Sequence, residues 1–208
     1  PEKTSGARFL PWRTPEVFSG EGSLLRAADI LRENGLRRPF VIASRRQCAD
    51  EHFRALQEKL DEQDILLSIF SSVEPNPSVE TVENIAAQYK IDSCDCFLVI
   101  GGGSPMDSAK AIALLAVSDI ERKNLFDGNI GNKALPMIHI PTTAGTGSEV
   151  TPYAILTNHE KQTKKSIASP CLFPTYALLD AKYTKNLGLA TTAVSYTHLR
   201  AHETLMNL

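Results

Sequence analysis

The 208-residue sequence has no apolar run approaching the ~20 residues needed to span a bilayer. Its first stretch, Pro1 to Pro15, contains no apolar signal core. Both absences argue against a secreted or membrane protein. There is no excess of positive charge: 22 Lys and Arg stand against 24 Asp and Glu, for a net charge of −2. That balance offers no basic face for a nucleic-acid backbone. Cysteine is scarce, and Cys48, Cys94, Cys96 and Cys171 fit no zinc spacing. Cys94-Asp95-Cys96 is too tight for a C-x-x-C redox pair. Cys96 opens an apolar run and reads as a small buried hydrophobe, which suits a reducing cytoplasm. No catalytic triad, carboxylate pair or reactive thiol is discernible. The chain opens on Pro1 rather than Met, which reads as a start already cut.

What is present is the composition of a globular protein, 42% hydrophobic and 22% charged. The length suits one domain, or one and a small appendage. A chain of this size buries roughly 70% of its unfolded surface and needs no disulfide or metal to fold. Strand-like and helix-like patterns alternate. Val17-Phe18-Ser19 is followed by the turn Gly20-Glu21-Gly22, and Ser23 is placed to cap a helix bearing Leu24, Leu25, Ala28 and Leu31 on one face. Asn34-Gly35 ends that helix. Pro39 to Ala43 reads as a buried strand, Phe53, Leu56 and Leu60 as a helical stripe, and Ile65 to Phe70 as a strand. The turn Glu74-Pro75-Asn76-Pro77-Ser78 delivers a cap at Ser78 to the stripe Val79, Val82, Ile85, Ala86 and Tyr89. Cys96 to Ile100 is a continuous apolar strand, of the kind buried on both faces of a parallel sheet. A helix with Pro105 at its first position and Met106, Ala109, Ile112, Ala113 and Ala116 on one face follows it. Met137 to Ile140 is a further strand, and shorter ones are expected at Ala154 to Leu156, Ser166 to Ala168 and Ala177 to Leu179. The alternation predicts an α/β fold with a doubly wound, mostly parallel sheet. His139, in an apolar strand, reads as a core histidine, and His52 and His159 as surface residues.

Ligands in such sheets sit outside the carboxyl ends of the strands. Two glycine-rich turns occupy such ends. In Gly101-Gly102-Gly103-Ser104 the missing Cβ atoms allow a ligand close to the backbone, and the start of the next helix favours a phosphate or pyrophosphate. Ser104 adds a hydroxyl, and Asp107 is placed to accept from a ribose or substrate hydroxyl. A plain helix entry requiring close strand–helix packing is the alternative. Thr142-Thr143-Ala144-Gly145-Thr146-Gly147-Ser148 offers four hydroxyls among glycines, a polar cradle or an exposed turn. Together the two turns point to a nucleotide. Neither is G-x-G-x-x-G nor a P-loop, and Gly20-x-Gly22 lacks the third glycine. Short-chain and malate-type dehydrogenases and nucleoside triphosphatases are therefore disfavoured.

The segments Gly101-Gly102-Gly103-Ser104-Pro105-Met106-Asp107-Ser108-Ala109-Lys110 and Ile140-Pro141-Thr142-Thr143-Ala144-Gly145-Thr146-Gly147-Ser148-Glu149-Val150-Thr151 resemble signatures of the iron-containing alcohol dehydrogenases. Glu74 to Ser78 and Ala177-Leu178-Leu179-Asp180 are similar to further family segments, and the likeness runs from about Val17 to Ala193. The resemblance implies a Rossmann-like, dehydroquinate synthase-like domain for a nicotinamide dinucleotide, NAD or NADP, over residues 1–193. It also implies interconversion of small alcohols with aldehydes or ketones and, at full length, a homo-oligomer. By motif position, Gly102, Gly103 and Ser104 would hold the pyrophosphate, and Asp107 would lie beside the cofactor and substrate cleft. Thr142, Thr143, Thr146 and Thr151 would contact the nucleotide, and Lys164 the nicotinamide ribose. The competing reading of Lys164 is a solvated run with Lys161 and Lys165. Where many relatives carry an aspartate for the adenosine ribose, this chain has Ser44, followed by Arg45 and Arg46. Loss of an acceptor-only carboxylate beside two guanidiniums admits a 2′-phosphate, so NADPH is expected to be tolerated or preferred. Solvent-facing arginines at a helix start are the alternative.

The family also implies an all-helical domain holding Fe2+ or Zn2+, begun by an Asp and a His four apart on one helical face. That pattern dissolves after Thr191-Thr192-Ala193. His198 and His202 fall at the corresponding places by count, but the surrounding glycine and D-A-L are absent. Gly188 stands where the family usually has proline. Residues 194–208 read as a non-family tail, similar to translated adapter read-through, with the metal ligands lacking. The expectation is thus a cofactor-binding half without activity of its own. A glycerol dehydrogenase, a metal-free maleylacetate reductase and a non-enzymatic nucleotide-binding module are the rival readings.

Overall fold

The computed structural model describes residues 14–74, 76–117, 125–126, 130–159, 162–185, 187–190 and 192–195, with side chains 88–92 set aside. Tyr89, Lys161, His198 and His202 therefore lie outside the described positions or side chains. Within them the long apolar runs become strands. These are β1 (Glu16–Ser19), β2 (Pro39–Ala43), β3 (Ser68–Phe70), β4 (Cys96–Gly101), β5 (Met137–Pro141) and, after a hairpin, β8 (Tyr176–Leu179). They form one six-stranded sheet in the order β1-β8-β5-β4-β2-β3, every pairing parallel. The helices are α1 (Arg26–Glu33), α2 (Arg45–Cys48), α3 (Glu51–Asp61), α4 (Val79–Asp92), α5 (Gly103–Leu115) and α6 (Ala181–Thr184). The doubly wound α/β architecture expected from the alternation is present.

Strand alternation divides the core in two. Val41, Leu98, Ile100, Ile138 and Ile140 face α1 and α3, where they meet Ala28, Leu31, Phe53, Leu56 and Leu60. Phe40, Ile42, Phe97, Val99 and Met137 face α4 and α5. Phe40 and Phe97, paired across β2 and β4, meet edge-on with ring centres 5.8 Å apart. Such contacts add about 0.5–1.5 kcal/mol to the burial itself. Helix α1 ends as expected at Asn34-Gly35, where the Leu36 amide donates to the Leu31 carbonyl at 2.9 Å.

Four local expectations change. Ser23 lies inside a 3₁₀ turn (Ser23–Leu25) that leads into α1, and its hydroxyl is buried and makes no capping bond. The strand foreseen at Ile65 to Phe70 begins only at Ser68, because the Ile65 amide still donates to Leu60 and finishes the turn after α3. Helix α5 starts at Gly103, so Pro105 sits in its first turn rather than at its first position. The strands foreseen near 154 and 166 leave the main sheet altogether. They are β6 (Tyr153–Asn158) and β7 (Thr163–Ala168), an antiparallel pair of their own. A parallel crossover needs a dozen or more residues, and the connection between them is far shorter. No described helix is long and apolar enough to cross a membrane.

Candidate cofactor cleft

A parallel sheet delivers all its strand ends to one rim. β2 leads into Ser44, β4 into the glycine turn, β5 into Thr142 and β8 into Asp180. The helices that start there differ in one respect. Ser44 accepts from the Gln47 amide in a capping box for α2, Asp50 from His52 for α3, and Ser78 from Thr81 for α4. Helix α5 begins on Gly102 with no capping side chain. Its first turn therefore presents backbone amides and the positive helix end to the rim, the arrangement that suits an anion.

A cleft of about 680 Å³ opens at this point, within the range of small-molecule sites. Gly102, Gly103 and Ser104 form one wall, Thr143, Thr146 and Ser148 another, and Thr157 and Lys164 of the hairpin a third. The glycines are required by contact between the walls. A Cβ on Gly102 would lie 3.2 Å from Thr143 Oγ1, and one on Gly103 would lie 3.3 Å from Thr146 Cγ2. A Cβ on Gly101 would collide with the Pro105 ring. Close packing and an open cradle are thus the same feature. The Thr143 hydroxyl is buried and has no hydrogen-bond partner among the described residues. An unpartnered buried hydroxyl beside a bare helix start fits a phosphate oxygen.

The other expected residues divide. The Asn76 amide donates to Ser104 Oγ at 3.2 Å, and Lys164 Nζ donates to Asn76 Oδ1 at 2.8 Å. Asn76, in the left-handed region at φ 54°, therefore joins the glycine turn to the hairpin lysine. Glu74 locks this turn by accepting from Ser78 and Thr81, bonds that hold its carboxyl below the usual range, those of Thr81 first. Asp107 reaches the cleft, but its oxygens are engaged: Oδ1 accepts from Ser148 Oγ at 2.7 Å and Oδ2 from the Ile155 amide at 3.1 Å. Thr142 and Thr151 do not line the cleft. Thr142 donates its amide to Gly101 and accepts at Oγ1 from Gln47 Nε2 at 3.4 Å, while Thr151 follows the 3₁₀ turn Ser148–Val150. Ser44, Arg45 and Arg46 are exposed at the start of α2, also outside the lining. Residues 192–195 are helical, and Val194 and Ser195 line the cleft. The Ser195 carbonyl would stand 3.1 Å from a Cβ on Gly145, whose φ of 144° already excludes most side chains.

His139 is fully buried, as expected, and burial first, then the nearby Lys110 charge, push its imidazole well below the usual range. His52 is half-buried against Tyr183 and His159 is exposed. Among the described residues no three His, Cys, Asp or Glu side chains are grouped to hold a metal ion. The described residues thus offer a place for an anion at the start of α5 and no grouped ligand set for iron or zinc.

A sequence model of the family described as iron-containing alcohol dehydrogenase matches residues 14–181. Alcohol dehydrogenase 4 of Saccharomyces cerevisiae is 34% identical over 182 residues, which are 87% of this chain and 48% of that protein. The crystal structure of an iron-containing alcohol dehydrogenase from Thermotoga maritima superposes with a TM-score of 0.77 at 39% identity, covering 87% of this chain and 50% of that one. A sulfoacetaldehyde reductase from Bifidobacterium kashiwanohense, solved in complex with NAD+, gives 0.78 at 30% identity, covering 91% of this chain and 50% of that one. The chain spans about half the length of these relatives.

Proposed function

Because the chain belongs to the iron-containing alcohol dehydrogenase family, we propose that its rim cleft holds NAD or NADP for an enzyme that interconverts small alcohols with aldehydes or ketones. The observation that carries this reading is the buried, unpartnered Thr143 hydroxyl beside the uncapped start of α5. Gly102, Gly103 and Ser104 receive the pyrophosphate, with Thr143 and Thr146 opposite. Lys164, held over the cleft by Asn76, reaches the nicotinamide ribose. Thr142 and Thr151 hold the loop in shape, and Asp107 fixes Ser148 beside the nicotinamide end. Bound there, the nicotinamide accepts or supplies hydride. The described residues bind and orient it. The matches do not favour the glycerol dehydrogenase, maleylacetate reductase or non-enzymatic readings.

Ser44 carries no charge to repel a 2′-phosphate, and Arg45 and Arg46 stand beside it, so NADPH is tolerated or preferred. The reducing cytoplasm suits four cysteines that are all free thiols. Fluorescence titration with NADPH and NADH tests both points. Saturable binding is expected, with Gly102→Val weakening it about tenfold or more, since the new side chain enters the cradle. Unchanged affinity in a folded Gly102→Val chain, checked by circular dichroism, overturns the cleft assignment. NADH binding tenfold tighter than NADPH overturns the coenzyme preference.

A further inference from the structure

A second hollow, of about 330 Å³, shares no lining residue with the cofactor cleft. Glu51 and His52 line it from the start of α3, and Lys182 and Lys185 line it from α6 and the residue that closes α6. Both elements are fixed by their caps. Asp50 Oδ1 accepts from the His52 amide at 2.8 Å, and Asp180 Oδ1 accepts from the Lys182 amide at 3.1 Å. The other Asp180 oxygen accepts from the Leu24 amide, which ties α6 to the 3₁₀ turn before α1. Tyr183 joins the two elements, its ring edge-on to that of His52 with centres 6.4 Å apart. The Tyr183 hydroxyl is buried and has no hydrogen-bond partner among the described residues.

We propose that this hollow is an anion site for a phosphate group, free or carried by a small ester, with Lys182, Lys185 and His52 as its donors. The acids nearby leave room for it. Asp50 and Asp180 are engaged by backbone amides at the two caps. Glu21 lies 3.6 Å from Lys182 Nζ, and Glu51 lies 4.0 Å from His52 Nε2. Both glutamates are largely exposed, so water and salt weaken their hold on these partners. Among the described residues no carboxylate pairs with Lys185. An ammonium supplies three N–H donors and an imidazole at least one. A tetrahedral phosphate presents acceptors on every side, so it suits donors converging from two separate elements, as a planar carboxylate does not. The Tyr183 hydroxyl is a further donor at the joint. Burial first, then the Asp50 and Asp180 charges, push its phenol above the usual range, and it keeps its proton. The volume falls at the lower end of small-molecule sites, which favours a small phosphate ester. The site stands apart from the cofactor cleft and does not depend on the reading of that cleft.

Calorimetric titration of the full chain with glycerol 3-phosphate and with inorganic phosphate, in about 0.1 M salt, tests the site. Both should bind, the ester more tightly. Lys182→Gln and Lys185→Gln should each weaken binding about tenfold, while Lys182→Arg should retain it. Saturating NADPH should leave the phosphate affinity unchanged. Binding undiminished in the double variant Lys182→Gln/Lys185→Gln overturns the site. Competition between NADPH and phosphate overturns it as a separate site, because the phosphate would then occupy the seat of the coenzyme. Sulfate binding as well as both phosphates, with all three lost at about 0.3 M salt, means an adventitious ion only and overturns it too. Failure of NADPH to bind counts against the cofactor cleft alone. Lys185 is exposed, so its variant should keep the wild-type circular dichroism. If the Lys182 variants do not fold, Lys185→Gln decides together with the His52 imidazole resonance of the wild-type chain. That resonance should move as phosphate is added, and no change in either measurement overturns the inference.

Discussion

Both faces of the sheet are closed by a pair of helices, and they differ in what lies underneath. Against α1 and α3 the buried strand residues are hydrocarbon except for Cys96, whose thiol is pushed well above its usual range by burial first and Asp95 second. Against α4 and α5 the same alternation brings His139 alongside Met137, and α5 adds a fully buried Lys110. One face is simple packing. The other gives up stability to keep an ammonium and an unpartnered imidazole away from water.

The largest test of this contrast lies on the quiet face. Leu98→Ala, in mid-β4 and 0% exposed, should cost about 2–5 kcal/mol in urea unfolding and leave NADPH affinity of the folded chain within about twofold. A matching loss of affinity would break the division between the faces. Next comes Lys110. Its folded value of about 8 lies below the ordinary 10.5, so the unfolded chain holds more protons between the two. Stability should therefore rise across that interval by about 3 kcal/mol, and Lys110→Met should lack the rise. The smallest effect belongs to His139. Held neutral in the fold and ordinary when unfolded, it makes stability fall as pH drops below 6.5, by about 1.4 kcal/mol per pH unit. His139→Leu should flatten that acid limb, and an unchanged limb would place the acid sensitivity elsewhere.

The strands of the quiet face were easy to read, because Pro39 to Ala43 and Cys96 to Ile100 are uninterrupted apolar runs bounded by turn residues. The hairpin was read as two strands but not as a separate pair, since apolar pattern carries no information about which neighbour a short strand takes. The short link between Asn158 and Thr163 was the available signal. In the site, the two glycine-rich turns were legible from composition alone. Asn76 was visible as part of a turn, while its bonds to Ser104 and Lys164 depend on chain segments far apart in sequence. Lys110 was missed for a physical reason. A lysine within an apolar stripe ordinarily runs its stem along the surface and leaves its charge in water. Here α5 is covered by the sheet, α4 and β6 together, and from Ser108 to Leu114 no residue escapes burial.

One amide links the two ends of the rim. Gln47 accepts the Ser44 amide at Oε1 and reaches Thr142 with Nε2, so its head group can face only one way. A glutamate there could still close the box on α2 but would reverse the second contact, accepting from the threonine hydroxyl instead of donating to it. Any movement of the threonine-rich loop is felt, through that single group, at the first residue past β2.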